Sequence, residues 1–156
     1  MIKKLLCATL GLGSSLGLLL AADAFTGSWK LDVAKSTFAS DNPPPKELTL
    51  TFTEQGANRT QILQGIAADG SATSTAWTAP MTGGTANFPA GQGPNGGASV
   101  KVVDDKTLVM TQNLRNAKAG ASRTYQVSAD GKTLTLTQKR EDGQERAKMA
   151  FSRQSK

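Results

Sequence analysis

Leu48-Thr49-Leu50-Thr51-Phe52-Thr53 alternates apolar and hydroxylic side chains without a break. A strand there puts Leu48, Leu50 and Phe52 on one face and three threonines on the other, the pattern of a half-buried antiparallel strand. Leu134-Thr135-Leu136-Thr137 repeats it near the far end of the chain. The same spacing of two relates Ala98, Val100 and Val102, then Leu108 and Met110, then Tyr125 and Val127, then Ala147, Met149 and Phe151. Thr60, Ile62, Gln64 and Ile66 fit the pattern less cleanly. Helical periodicity is nearly absent, so the domain is all-β.

Turn chemistry separates these runs at short intervals. Asp69-Gly70, Asp130-Gly131 and Asp142-Gly143 are dipeptides that supply the positive φ of tight hairpins, and Asp104-Asp105-Lys106 reads as another turn. Strands are predicted near 26–32, 46–54, 58–67, 71–79, 98–104, 107–113, 121–128, 132–139 and 145–152, with an extra one near 84–89. Hairpins in series make an up-and-down meander. About 8–10 such strands form a sandwich or a closed antiparallel β-barrel, and closure removes edges that invite aggregation. The barrel is the expected fold.

Two segments interrupt the rhythm. Val33 to Phe38 is predicted as one helical turn, followed by Asn42-Pro43-Pro44-Pro45, which cannot be a central strand. Gly83 to Gly97 holds six glycines and two prolines in fifteen residues. Either segment reads as a lid over a cavity or as a plain surface connection.

The start of the chain reads as an export signal. Met1-Ile2-Lys3-Lys4 is basic, Leu5 to Leu20 is uncharged and mostly apolar, and Ala22-Asp23-Ala24 offers small residues where a signal peptidase reads them. The expected division is a signal peptide over 1–24 and a β-barrel domain over 25–156, with cleavage after Ala22 as the alternative. The apolar run is diluted by Gly11, Gly13, Ser14, Ser15 and Gly17, and falls short of the about 20 apolar residues of a membrane anchor. No membrane span is therefore expected after cleavage, and the protein is expected to be periplasmic or secreted. Cys7, the single cysteine, lies at the start of the apolar run rather than its end, against a lipid-modified N-terminus.

The expected domain thus contains no cysteine, and the chain contains no histidine. Disulfides, thiol nucleophiles, Cys/His zinc sites and Ser-His-Asp triads are excluded together. No metal or cofactor is expected. The formal net charge of +6 favours acidic partners only weakly, and the few scattered aromatic residues do not make the stacking platform of a nucleic-acid binder. Paired carboxylates at Asp104-Asp105 and Glu141-Asp142 fall on turn tips, where they serve turn formation rather than acid–base chemistry. No catalytic residue and no enzymatic activity are expected.

The chain ends carry the most specific constellation. Trp29 lies on the first strand, and Met149, Phe151 and Arg153 share a face of the last. In a closed meander those strands are neighbours, so Arg153 can stack on the Trp29 ring, an interaction of about 0.5–2 kcal/mol. Its alternative is a solvated arginine. Gly27-x-Trp29 on the first strand, the serial hairpins and the basic Arg153 on the last strand resemble the lipocalin-like members of the calycin superfamily. More closely, Gly27 to Phe38 and Ser128 to Thr135 resemble a group of small exported bacterial proteins of unassigned function. The resemblance is strongest over 27–54 and 123–153 and implies a barrel able to hold one small apolar ligand. Gly27, Trp29 and Arg153 are then structural closing residues. Trp77, Met110, Tyr125 and Met149 are the expected cavity lining, with plain core as the alternative.

Two functions follow. The first is an exported, non-enzymatic lipocalin-like barrel that binds a small apolar molecule. The second is a protein-interaction module, an exported inhibitor or envelope assembly factor without a ligand cavity, docking an acidic partner on the basic last hairpin of Lys139, Arg140, Arg146, Lys148, Arg153 and Lys156.

Overall fold

A computed structural model describes residues 23–113 and 120–155. Its ten strands are β1 (Gly27–Phe38), β2 (Glu47–Gln55), β3 (Asn58–Ile66), β4 (Ala72–Pro80), β5 (Gly84–Ala86), β6 (Ala98–Asp104), β7 (Thr107–Gln112), β8 (Ser122–Val127), β9 (Thr133–Lys139) and β10 (Glu145–Arg153). All pairings are antiparallel, and they form one sheet in the order β4-β3-β2-β1-β10-β9-β8-β7-β6-β5. Among the described residues there is no helix. The sheet curls into a nearly closed up-and-down barrel, with β4 joined by one bridge to the residue that follows β5. There Thr78 and Asn87 exchange both backbone hydrogen bonds at 2.8 Å.

The hairpins form where Asp-Gly chemistry places them. Asp69, Asp130 and Asp142 each accept the backbone N–H two residues on, from Ser71, Lys132 and Gln144, and Asp104 does the same for Lys106. The carboxylate thereby replaces a missing ladder partner at each tip. The hairpins β2–β3, β4–β5, β6–β7 and β8–β9 and both ends of the described chain lie at one end of the barrel, here the terminal end. The other five connections lie at the loop end.

The inward faces are those of the alternating runs. Met149, Leu136, Tyr125 and Leu108 form one cross-strand row over β10, β9, β8 and β7, and Trp29, Leu50, Leu63 and Thr75 form another over β1 to β4. Phe52 on β2 and Tyr125 on β8 meet edge to face across the lumen at 5.6 Å, and Trp77 on β4 lies 6.2 Å from each ring. Strands four places apart in the sheet are therefore in contact through their side chains. Each buried ring contributes roughly 1.5–3 kcal/mol of transfer free energy, so the middle of the barrel is packed core.

Two expectations are corrected. The segment from Val33 to Phe38 is not a helical turn but the continuation of β1, which pairs again with β10 at Thr37 and Phe38 after a register shift beyond Asp32. Ser36 makes this possible: its Oγ donates to the Asp32 carbonyl at 2.6 Å and accepts the Ala150 N–H at 3.0 Å, standing in for a displaced ladder bond. On β3 the inward set is Arg59, Gln61 and Leu63 rather than Thr60, Ile62, Gln64 and Ile66. The extra strand near 84–89 is short, ending at Ala86 ahead of Pro89.

Candidate functional site

The terminal end is sealed by the chain that precedes β1. Phe25 is buried against Phe52, ring centroids 5.4 Å apart, and its carbonyl accepts the Trp29 indole N–H at 2.9 Å. The Arg153 guanidinium lies 4.0 Å from the Trp29 ring centroid and donates to the carbonyls of Gly131, Thr26 and Ala24 at 2.7, 2.8 and 2.5 Å. Gly27 makes the approach possible. Its φ is +130°, and a Cβ there would sit 3.1 Å from Arg153 Nη1. Gly27, Trp29 and Arg153 are thus brought together in one contact, with Trp29 fully buried and paired in register with Arg153.

Arg59 forms a second seal that its sequence context did not announce. It is 4% exposed, lies over the Phe25 ring at 5.1 Å, and donates through Nε and an Nη to one carboxylate oxygen of Asp23 at 2.9 and 2.6 Å. A buried guanidinium needs such a partner. The sequence signal was available only in retrospect: an arginine in register with an inward face.

Trp77, Met110, Tyr125 and Met149 are all buried members of the core. Trp77 and Tyr125 are in contact, while Met110 and Met149 pack into the same hydrophobic cluster. Trp77 also lines an open cleft.

That cleft, about 260 Å³, lies in the incomplete seam toward the loop end, between Thr75, Ala76 and Trp77 on one side and Gln112 and Arg123 on the other. The Gly-rich connection covers it with Phe88, Gln92, Gly93 and Pro94, and Gln92 Oε1 accepts the Ala76 N–H at 3.2 Å. The glycine-rich segment is therefore folded over an opening. Four buried polar atoms gather here or one strand away: Trp77 Nε1, Thr75 Oγ1, and both Oε1 and Nε2 of Gln61, none with a hydrogen-bond partner among the described residues. Gln61 is in register with Phe52 on one side and Trp77 on the other. Each buried polar group left unpaired costs about 1–3 kcal/mol, a cost that an ordered water or a bound molecule reaching it would relieve.

A second cleft of about 430 Å³ adjoins it at the loop end, lined by Gln112, Ser122, Arg123, Gln138, Arg140 and Arg146 among others. Gln112 and Arg123 border both clefts. Two of its arginines are engaged: Arg140 with Asp41, whose carboxyl its hydrogen bond holds below the usual range, and Arg146 with Asn42 Oδ1 at 3.2 Å. Arg123 is different. All twelve acidic side chains lie in the described residues, and none is within ion-pair distance of it. Lys148 is exposed, and Lys156 lies outside the described residues.

Among the described residues no three His, Cys, Asp or Glu side chains cluster as a metal site would require. No protein-family model matches the chain, and no curated protein matches it. Among solved structures it is similar to a de novo designed fluorescence-activating β-barrel, with 17% identity over 86% of this chain and 100% of that one, and a TM-score of 0.41.

Proposed function

We propose that the protein is an exported, non-catalytic lipocalin-like barrel that binds a small molecule in the seam cleft beneath the Gly-rich connection. The observation that carries this is a cleft walled by Trp77, Thr75 and the Gly-rich connection, with the orphaned Trp77 Nε1 and Thr75 Oγ1 buried within the side chains that line it. No described residue answers these groups, and a ligand or an ordered water that reaches them can. The occupant is small, because about 260 Å³ lies below the roughly 300–1,000 Å³ of pockets for drug-sized molecules. Its body rests on Trp77, Phe88 and Pro94.

This moves the expected ligand from a central lumen to the seam. Phe52, Trp77 and Tyr125 meet in the middle of the barrel, leaving the orphaned groups beside the gap between β4 and the Gly-rich connection. Native mass spectrometry of protein recovered from a bacterial envelope fraction tests the reading. A bound small molecule lost on Trp77→Phe and Thr75→Val substitution supports it. A consistently empty protein, unaffected by small-molecule screens followed at the Trp77 indole, overturns it.

The second reading, an interaction module for an acidic protein partner, draws on the larger cleft, where Arg123, Lys139, Arg140 and Arg146 outnumber Glu141 and Asp142 at one end of the barrel. Capture of an envelope protein that is abolished by reversing Lys139, Arg146 and Lys148 to glutamate supports it. Capture that survives the reversals counts against this surface.

A further inference from the structure

We propose that the ligand of the seam cleft is a small carboxylate. The inference rests on the reading of that cleft as a binding site and adds the chemistry of its occupant. Trp77 Nε1 can only donate, the Arg123 guanidinium can only donate, and the Thr75 hydroxyl can do either. Arg123 thus gives the cleft wall donor capacity that no carboxylate side chain answers, the Trp77 donor and the Thr75 hydroxyl lie buried behind that wall, and the complementary ligand is rich in acceptors.

Arg123 adds charge. It borders both clefts at the loop end, and no Asp or Glu side chain pairs with it among the described residues. Glu141 and Asp142 line the larger cleft but not the seam cleft. A carboxylate matches the planar guanidinium fork, and its oxygens also accept from an indole N–H and a hydroxyl. The remaining lining is apolar or uncharged: Phe88, Pro94, Ala76 and the Trp77 ring. A compact ring or short chain bearing one carboxylate fits both halves, whereas a long acyl chain exceeds the space.

The indole N–H resonances provide the test. The protein has two tryptophans, and the Trp29 indole is already bonded to the Phe25 carbonyl. In ¹⁵N-labelled protein, benzoate is expected to shift the Trp77 indole saturably and leave that of Trp29 in place, with Trp77→Phe assigning the signal. Neutral benzamide and toluene are expected to bind at least about tenfold more weakly. Arg123→Gln, on a partly exposed position, and Thr75→Val are each expected to weaken benzoate by a similar factor, with the far-UV spectrum unchanged. Benzamide binding as tightly as benzoate, or an indifferent Arg123→Gln, overturns the carboxylate and leaves the binding site standing. Decanoate binding far more tightly than benzoate overturns the small occupant in favour of a lipid. Silence of the Trp77 signal to every probe overturns the site itself.

Independently, we infer that export processing cuts after residue 22, leaving Asp23 at the head of the mature domain. Residues 1–22 lie outside the described residues, but Asp23 to Thr26 are built into the terminal end. A cut after Ala24 would strip the Asp23 carboxylate from a guanidinium whose side chain is 5% exposed, and the Ala24 carbonyl from Arg153. It would also place a new α-ammonium on Phe25, the residue whose ring Arg59 covers and whose two neighbours supply carbonyls to Arg153. A cut after residue 22 keeps every one of these contacts. Intact-mass measurement on protein exported by a bacterial host decides the matter. A chain beginning at Asp23 is expected, one beginning at Phe25 overturns the inference, and an uncut chain overturns the export reading instead.

Discussion

Arg153 lies over Trp29, its guanidinium carbon 4.0 Å from the ring centroid, while its nitrogens reach three backbone carbonyls on two separate segments. One side chain thus ties the end of β10 to the chain preceding β1 and to the β8–β9 turn. Trp29→Ala is expected to lower stability by about 3–5 kcal/mol in urea titrations. Arg153→Lys, which cannot serve three divergent acceptors with a point charge, is expected to cost about 1–3 kcal/mol. An unchanged unfolding midpoint for Trp29→Ala would remove its role in closing the barrel.

Gly27→Ala is expected to destabilise the fold by more than about 1 kcal/mol. Its φ of +130° disfavours any L side chain, and the new methyl would press on Arg153 Nη1. Thermal unfolding of Gly27→Ala beside Gly27→Ala/Arg153→Ala separates the two causes. Partial recovery in the double variant identifies the contact, and full persistence of the loss identifies the backbone.

Gln61→Leu is expected to stabilise the protein by about 1–3 kcal/mol, because it removes a buried donor and a buried acceptor that have no partners while keeping a similar volume. Equilibrium denaturation measures it. A clear destabilisation would mean that Gln61 is satisfied in solution by ordered water.

Stability is expected to be flat from about pH 8 to about pH 5, because the chain has no histidine, and to fall below about pH 4. Asp130 is held below its ordinary value by the Ser128 hydroxyl and the Lys132 N–H, Asp69 by the Ser71 hydroxyl and N–H, and Asp41 by Arg140. A depressed folded-state pKa stabilises above the unfolded value and is lost as pH falls through the folded one. Asp130→Asn is expected to shallow the acid limb of a thermal-midpoint curve. An unchanged limb would assign acid sensitivity elsewhere.

The strands were legible because most inward positions obey strict alternation: Leu48, Leu50 and Phe52, or Leu134 and Leu136, can face only one way. The turns were legible because Asp-Gly supplies both an acceptor and a positive φ. The face of β3 was not, since its inward residues are polar. Arg59 is tolerated by virtue of Asp23, and Gln61 lies in the orphaned cluster, so neither carries a hydrophobic signal. The length of β1 was hidden for a similar reason, its second half depending on one serine hydroxyl that replaces a ladder bond. Trp77 could be singled out as an inward aromatic, but its place beside a gap could not. That depends on where a ten-strand sheet fails to meet itself.

The covalent break and the hydrogen-bonding break of this barrel lie in different places. The two ends of the described chain emerge side by side in the middle of the sheet, where the Gln154 N–H bonds the Ser28 carbonyl, while β4 and β5, joined by an unbroken backbone, are its outermost strands. The molecule therefore invites circular permutation. Linking residue 155 to residue 23 and reopening the chain between Pro80 and Gly84 would make chain order and sheet order coincide, from one outer strand to the other. Every strand would then be a neighbour of the next in sequence, with no ladder interrupted.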